Sequence, residues 1–166
     1  MKNLFISKWW GNYIGGCDDS FLLLDYFGTS SSNTWTLRQI FEDLHLGSVL
    51  ESGEFENSDL YFESKLGYEP HFDMTIDVVI DLSAILLECL QNKQVAMKKL
   101  DESTKYQKDI IISASKQDIL LLKRGLDKFI NTPQSFDLAN LIDENSLTEL
   151  ICDCKSISDE LIAFTD

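Results

Sequence analysis

The amino-acid sequence predicts an α+β domain that is dominated by helices and contains a few short strands. Two patterns support this fold class. Apolar residues recur three and four positions apart in several segments, which is typical of amphipathic helices. One β-branched run, residues 109–113, is instead typical of a strand. The 166 residues fit one domain, residues 1–166, which is long enough to bury a core without disulfides or metals.

Short elements and polar loops alternate at the start of the chain. Residues 3–7 are apolar and indicate a short strand, whereas the aromatic and glycine-rich residues 9–16 indicate an ordered turn. Residues 18–27 predict a short helix with acidic residues in its first turn. Residues 28–33 predict a polar loop, which is the best candidate for a hinge.

A capping signal and a long apolar pattern follow. Thr36 and Gln39 have the spacing of a capping box, which predicts a helix that continues to Gly47. Residues 51–68 mix Gly, Asn, Ser and acids and predict an irregular, exposed segment with at most a short strand. A long helix is predicted over residues 74–91, because these residues fall three and four apart: Ile76, Val79, Ile80, Ser83, Leu86, Leu87 and Leu90.

The second half predicts one strand and further helices. After the strand at residues 109–113, Ser115 is a candidate N-cap for a helix that ends at Asn131. Shorter helices are predicted over residues 135–141, 145–154 and 156–163.

Negative charge is the unusual property of this sequence. The chain has 28 acidic and 14 basic residues, a formal net charge of −14 and an isoelectric point near 4.4. Residues 17–81 carry a net charge of −12, residues 93–128 carry +4, and residues 129–166 carry −7. Such a chain would be repelled by nucleic acids and anionic membranes. The acids either keep the protein dispersed or attract a cationic partner.

Neither an export signal nor a membrane helix is indicated. The apolar residues after Lys2 are too few for a signal peptide, and the longest apolar run, residues 76–90, is interrupted by two aspartates. The sequence therefore predicts a soluble, cytoplasmic protein. Its four cysteines are expected to be buried free thiols, since Cys152 and Cys154 are too close together for an ordinary zinc site.

Signatures of catalysis are missing from the sequence. It has no phosphate loop, nucleophile elbow, zinc-protease helix or dinucleotide fingerprint. The most enzyme-like set is His71, Asp73, Asp77 and Asp81, which could hold a divalent cation because the aspartates are four residues apart. Acids at that spacing are also common on solvated helix faces. We expect no enzyme activity, no metal and no cofactor.

Acidic and aromatic residues together indicate a surface for a basic partner. Exposed ion pairs contribute little by themselves, so an acidic binding surface also needs apolar anchors. Four aromatic residues interleaved with acids provide this mixture in one segment: Tyr61, Phe62, Tyr68 and Phe72. In contrast, Trp9, Trp10 and Tyr13 are more typical of core or turn packing. The candidate partner-binding residues are Asp18, Asp19, Glu51, Glu54, Glu56, Asp59, Tyr61, Glu63, Tyr68 and Glu69.

Three blocks of sequence resemble a known group of proteins. Residues 10–20 (WGNYIGGCDDS), followed by Asp25-Tyr26, resemble a block in the immunity proteins of bacterial polymorphic toxins. Residues 37–41 and 81–89 resemble later blocks of the same kind. The most similar type is the immunity protein of contact-dependent growth inhibition, and the resemblance covers residues 9–89.

The resemblance implies a function that agrees with the charge. Such proteins bind one cognate toxin domain in the cytosol of the producing cell and block its active site or substrate path. Many of these toxins are nucleases with basic surfaces. We therefore expect a monomeric immunity protein that binds a C-terminal toxin domain. We expect this toxin to be a nuclease, and we favour an RNase over a DNase. We expect no direct contact of the immunity protein with nucleic acid or membrane. The alternatives are a metal-assisted hydrolase and an acidic adaptor or nucleic-acid mimic.

Overall fold

Seven helices and three strands follow one another in the computed structural model, which describes residues 4–166. Short 3-10 turns lie at Ile6–Lys8, Pro133–Ser135 and Asp137–Asn140. In chain order the elements are α1 (Asp18–Thr29), β1 (Thr34–Thr36), α2 (Leu37–Leu44), α3 (Gly47–Ser52), α4 (Thr75–Asn92), β2 (Val95–Ala96), α5 (Met97–Leu100), β3 (Asp109–Ser113), α6 (Lys116–Asn131) and α7 (Glu144–Ile162).

Helix α4 is the centre of the fold. Every residue from Thr75 to Cys89 is buried, because α1, α6, α7 and β3 pack around the helix. A helix surrounded in this way needs apolar side chains on all faces. The polar exceptions are Thr75, Ser83 and three acids that lie inside the protein, Asp77, Asp81 and Glu88.

A small mixed sheet packs against α4. Its strand order is β1-β3-β2, with β1 parallel and β2 antiparallel to β3. Thr34 lies opposite Ile111, and Val95 lies opposite Ile110. Burial alternates along β3, so Ile110 and Ile112 face the core.

Side-chain caps define the starts of two predicted helices. The Thr36 hydroxyl accepts a hydrogen bond from the Gln39 amide at 3.1 Å, and the Ser115 hydroxyl accepts one from the Asp118 amide at 3.2 Å. Helix α2 ends before the predicted Gly47, because His45 already adopts the left-handed conformation with φ 62°.

The structure confirms the predicted fold class and its main elements. The protein is an α+β domain dominated by helices, with one three-stranded sheet among residues 4–166. Helix α1, helix α4, strand β3 and helix α6 lie where the sequence predicts them. The predicted turn at residues 9–16 is also present, and residues 30–33 form a loop after α1.

Several local predictions were wrong. Of the strand predicted over residues 3–7, Asn3 lies outside the described residues and Ile6 begins a 3-10 turn. The last two predicted helices are one continuous helix, α7, because Leu150, Cys154 and Ile157 keep its buried face unbroken. The short elements β1, β2, α3 and α5 were not predicted.

Residues 51–68 are less exposed than the sequence suggests. They are mostly irregular, and Tyr61 forms an isolated antiparallel bridge with His71. However, Phe55, Leu60 and Phe62 point into the core. The segment is therefore a packed loop whose acids face outward.

The cysteines and helices bear on two further predictions. All four cysteines are free; Cys89 and Cys154 are buried, Cys17 is half-buried, and Cys152 is exposed, contrary to the expectation of burial. Among the helices described, none has the length and apolar character needed to cross a membrane.

Candidate functional site

An open cleft lies where the end of α1, the outer face of α2 and residues 62–65 meet. Its volume is about 500 Å³. Tyr26 and Phe62 contribute ring surface, while Glu42, Asp43 and Glu63 contribute carboxylates. The remaining lining residues are Thr29, Ser30, Ser31, His45, Ser64 and Lys65.

Three neighbouring clefts extend this concave surface along α2 and α3. The first shares Glu42 and His45 with the large cleft and has a volume of about 300 Å³. The next two, of about 420 and 310 Å³, share Glu54 and Glu56 with each other. We call these four clefts the acidic groove; the acids that line it are Glu42, Asp43, Glu54, Glu56 and Glu63.

The amphipathic pattern of α2 places two of these acids. Ile40, Phe41 and Leu44 are buried, so the helix turns Glu42 and Asp43 to the outside. The chain then reverses at His45, whose left-handed backbone brings its ring to the edge of the groove.

Three aromatic rings stack beside the groove. The ring of Tyr61 lies between those of His45, at 4.1 Å, and His71, at 5.0 Å. His71 Nδ1 is 2.8 Å from the Asp59 carboxylate, and its Nε2 is 3.1 Å from the Glu69 carboxylate. The hydrogen bond to Asp59 is the main reason why the pKa of His71 is raised, although partial desolvation opposes it and Glu69 adds to it. Both contacts favour the imidazolium form.

Tyr26 and Asp43 form a polar contact at the wall of the large cleft. The Tyr26 hydroxyl donates to Asp43 Oδ2 at 2.6 Å. Burial raises the pKa of Tyr26, and the hydrogen bond to Asp43 raises it further, so the phenol remains a donor. This hydrogen bond holds Asp43 in place, and all three acids, Glu42, Asp43 and Glu63, are exposed.

Two of the basic side chains at the groove have partners within the protein, whereas Lys65 is exposed in the large cleft. Arg38 pairs with Asp118 at 2.5 Å, and Lys128 donates to the carbonyl oxygen of Gly53. These contacts direct both cations to the protein's own oxygens. The carboxylates that line the groove thus dominate its charge, and the surface is suited to bind cationic groups.

Most of the predicted binding residues lie in or near this groove. Glu54, Glu56 and Glu63 line it. The neighbouring stack includes Asp59, Tyr61 and Glu69. Two more are exposed but line no cleft of the groove: Glu51 on α3, and Tyr68, whose surface is 61% accessible.

Asp18 and Asp19 lie elsewhere. Asp18 is exposed at the first residue of α1, two turns before Tyr26. Asp19 is only 4% exposed, and its two carboxylate oxygens accept hydrogen bonds from the amides of Asp73 and Met74 at 2.8 and 2.9 Å. The proposal that Asp19 contacts a partner was therefore wrong; its carboxylate binds the backbone immediately before α4.

The sequence-based set did not include Tyr26, Glu42, Asp43 and His45, which line the large cleft. The alternation of apolar and charged residues in α2 indicates that Glu42 and Asp43 face outward. No local pattern indicates that Tyr26 and His45 meet them, because that contact depends on how α1 packs.

The proposed metal ligands do not form one site. His71 is at the surface between Asp59 and Glu69, whereas Asp77 and Asp81 are buried against α1. Within residues 4–166, no group of three His, Cys, Asp or Glu side chains is arranged to hold a metal ion. This geometry removes the specific basis for a metal-assisted hydrolase.

The aromatic residues near the amino terminus belong to the core, as their pattern suggests. Trp9 is buried, and Trp10 donates its indole N–H to the Leu100 carbonyl oxygen at 2.9 Å. The Tyr13 hydroxyl donates to Asp77 at 2.8 Å. Phe62 and Phe72 are buried as well, so neither is available as a surface anchor.

The fold and groove define a class of small, acidic α+β proteins with an open, carboxylate-lined surface. A family model described as immunity protein 68 matches residues 5–161, and the chain belongs to this family. Membership confirms the resemblance to immunity proteins at the family level and extends it into the second half of the chain. It supports a toxin-neutralising function with a cognate toxin protein as the partner. Comparisons with curated proteins and with solved structures gave no match.

Proposed function

We propose that this protein neutralises a nuclease toxin domain by covering its active site or basic substrate surface with the acidic groove. Of the two kinds of nuclease, we favour an RNase over a DNase as the toxin. It belongs to a contact-dependent growth inhibition system, and the immunity protein acts as a monomer in the cytoplasm of the producing cell. Binding, without chemistry on a substrate, is sufficient for this function.

The acidic groove is the observation that carries this proposal. A nuclease presents basic groups to a phosphate backbone, and a carboxylate-lined surface is complementary to those groups. The clefts and the exposed ring of Tyr68 also offer shape and apolar contact, which exposed ion pairs alone do not supply.

Co-purification with the toxin domain encoded beside this protein tests the proposal. We expect a stable complex and loss of RNA cleavage when the purified protein is added in equimolar amount, with DNA tested in parallel. A toxin domain that binds this protein but cleaves neither RNA nor DNA would support the immunity function and refute its nuclease part.

Charge reversal within the groove tests the binding surface. Glu42→Lys combined with Glu63→Lys should weaken binding of a basic toxin and slow association, because both acids are exposed in the large cleft. The matched control is Glu102→Lys combined with Asp159→Lys, which makes the same change in net charge at exposed positions outside the groove. Equal loss of affinity in the two double variants would show that net charge matters and the groove does not.

A further inference from the structure

A buried cluster of acids joins α1 to α4. Asp19, Asp77 and Asp81 are 4%, 5% and 2% exposed. Asp77 Oδ1 accepts from the Tyr13 hydroxyl at 2.8 Å, and Asp81 Oδ1 accepts from the Gly15 amide at 3.1 Å. The three carboxyl groups thus hold residues 13–20 against the central helix.

Among the described residues, no cationic side chain balances this cluster. The titratable groups that face it are Tyr13 and Cys17 from the turn before α1, Asp73 at the start of α4, and Cys154 from α7. Across residues 4–166, no lysine, arginine or histidine forms an ion pair with the three carboxyl groups. Three buried negative charges without a counterion are strongly unfavourable, so the folded protein must retain protons here.

The hydrogen-bond geometry indicates where a proton is shared. Burial raises the pKa of Asp19, but both of its oxygens accept from backbone amides, and these two hydrogen bonds oppose that shift in favour of the ionised form. Burial raises the pKa of Asp77 most, and the neighbouring Asp19 raises it further through its charge and through a hydrogen bond that protonated Asp77 donates. Asp81 Oδ2 accepts from the Ser20 hydroxyl at 2.5 Å, and a hydroxyl can also accept a hydrogen bond from a protonated carboxyl group.

We propose that Asp19, Asp77 and Asp81 form a proton-dependent latch, which fastens residues 13–20 to α4 while protonated and loosens when its protons are lost. The proposal is independent of which toxin the acidic groove binds, because the latch lies in the core.

The direction of the pH effect follows from the buried state of these groups. Burial is the main reason why the pKa of Asp77 and that of Asp81 are each raised to about 7. In the unfolded chain both groups lose their protons near their ordinary pKa. The protons retained by Asp77 and Asp81 therefore favour the folded state most at acidic pH. Their contribution to the free energy of unfolding is lost as the pH rises from the ordinary aspartate range through 7.

The Asp77→Asn variant tests the latch, because asparagine resembles the protonated carboxyl group but cannot lose a proton in this pH range. The amide group of the asparagine can donate to Asp19, and its carbonyl oxygen can accept from Tyr13. Urea unfolding of the wild type and of this variant should be compared at several pH values. Between about pH 5 and about pH 8 the wild-type unfolding constant should rise relative to the variant's by up to about a hundredfold. The exposed control Glu51→Gln should leave the wild-type pH profile unchanged. Parallel profiles for Asp77→Asn and the wild type would overturn the proposal.

Infrared spectroscopy of the wild type provides a readout that needs no variant. The carbonyl band of a protonated carboxylic acid should be present at about pH 6 and lost by about pH 9. Its absence at the lower pH would refute a retained proton. This measurement remains decisive if Asp77→Asn does not fold.

Cysteine labelling tests the loosening itself. Cys17 is half-buried beside the cluster, and exposed Cys152 serves as the internal reference. The ratio of Cys17 to Cys152 labelling should increase across neutral pH in the wild type and change less in Asp77→Asn. A ratio that follows the same course in both proteins would show that proton loss does not release residues 13–20.

Discussion

Single aromatic side chains near the groove have different roles. Phe62 is 1% exposed and packs against Tyr26 and Phe72, with ring centroids 5.4 and 5.9 Å apart. Tyr68 is 61% exposed, on a turn between the acids of the stack. Within this short segment, Phe62 therefore contributes to the core, whereas Tyr68 is available for contact with a partner.

Truncation of these two residues gives opposite expectations. Phe62→Ala should lower the free energy of unfolding by about 3–5 kcal/mol, because it leaves a cavity in the core. Tyr68→Ala should leave the melting temperature almost unchanged and weaken toxin binding by about 2 kcal/mol or more if the ring fills a partner pocket. Thermal unfolding and calorimetric titration measure both effects. Unchanged affinity for Tyr68→Ala would remove this residue from the binding surface.

Residue type alone did not reveal where each acid lies. Asp18 and Asp19 are neighbours in sequence, yet Asp18 is exposed and Asp19 is buried against the backbone that precedes α4. Asp77 and Asp81 share a face as their spacing predicts, but that face is buried and not solvated. Their environment depends on residues 13–20, which pack on α4 from a distant part of the chain. Local spacing cannot contain that information.

At the level of elements, close packing between helices α3 and α6 depends on one glycine. A Cβ atom at Gly125 would lie 2.6 Å from Leu50 Cδ2 and 3.1 Å from a ring atom of Phe55. Both neighbours are buried, so neither moves away without cost. Gly125 thus permits α6 to approach the elements that carry the groove.

Gly125→Ala should destabilise the protein despite alanine's better helix propensity. The propensity gain is about 1 kcal/mol, whereas overpacking a well-packed core costs about 1–3 kcal/mol. Gly47→Ala is the control, because its Cβ would meet only Phe41 Cβ at 3.7 Å. That variant should be neutral or slightly stabilising in urea unfolding. A more stable Gly125→Ala protein would show that the contact between α3 and α6 relaxes easily.

Elements with local signals were predicted well, and elements formed by distant contacts were not. Thr36 and Ser115 mark their helices because a cap involves residues three positions apart. Strand β1 is three residues long and exists because it pairs with β3. Such a strand leaves almost no pattern in its own residues. The break predicted within α7 was wrong for the opposite reason: burial of one face keeps the helix continuous through polar residues.

Across the whole molecule, charge is distributed unevenly and should govern how fast a partner arrives. The net charge of −14 is concentrated in residues 17–81, the part of the chain that supplies nearly all of the groove. A basic toxin would be attracted over distances comparable to the Debye length, about 10 Å at 0.1 M salt.

The association rate should therefore depend strongly on salt. Between about 0.05 and 0.5 M sodium chloride we expect it to fall by about tenfold or more, while the dissociation rate changes much less. Stopped-flow fluorescence at several salt concentrations measures the first rate, and competition with excess unlabelled protein measures the second. An association rate that is indifferent to salt would exclude electrostatic steering, even for a tight complex.

The parallel pairing of β1 with β3 has a consequence for biosynthesis. Thr34 emerges from the ribosome early, but its partner Ile111 is made only after α4 has been completed. Until then β1 has no strand to pair with, and the ordering of such distant segments slows folding. Where a toxin is made together with this protein, the sheet cannot be complete until synthesis has passed Ser113, so the toxin must be held inactive until then or be made later.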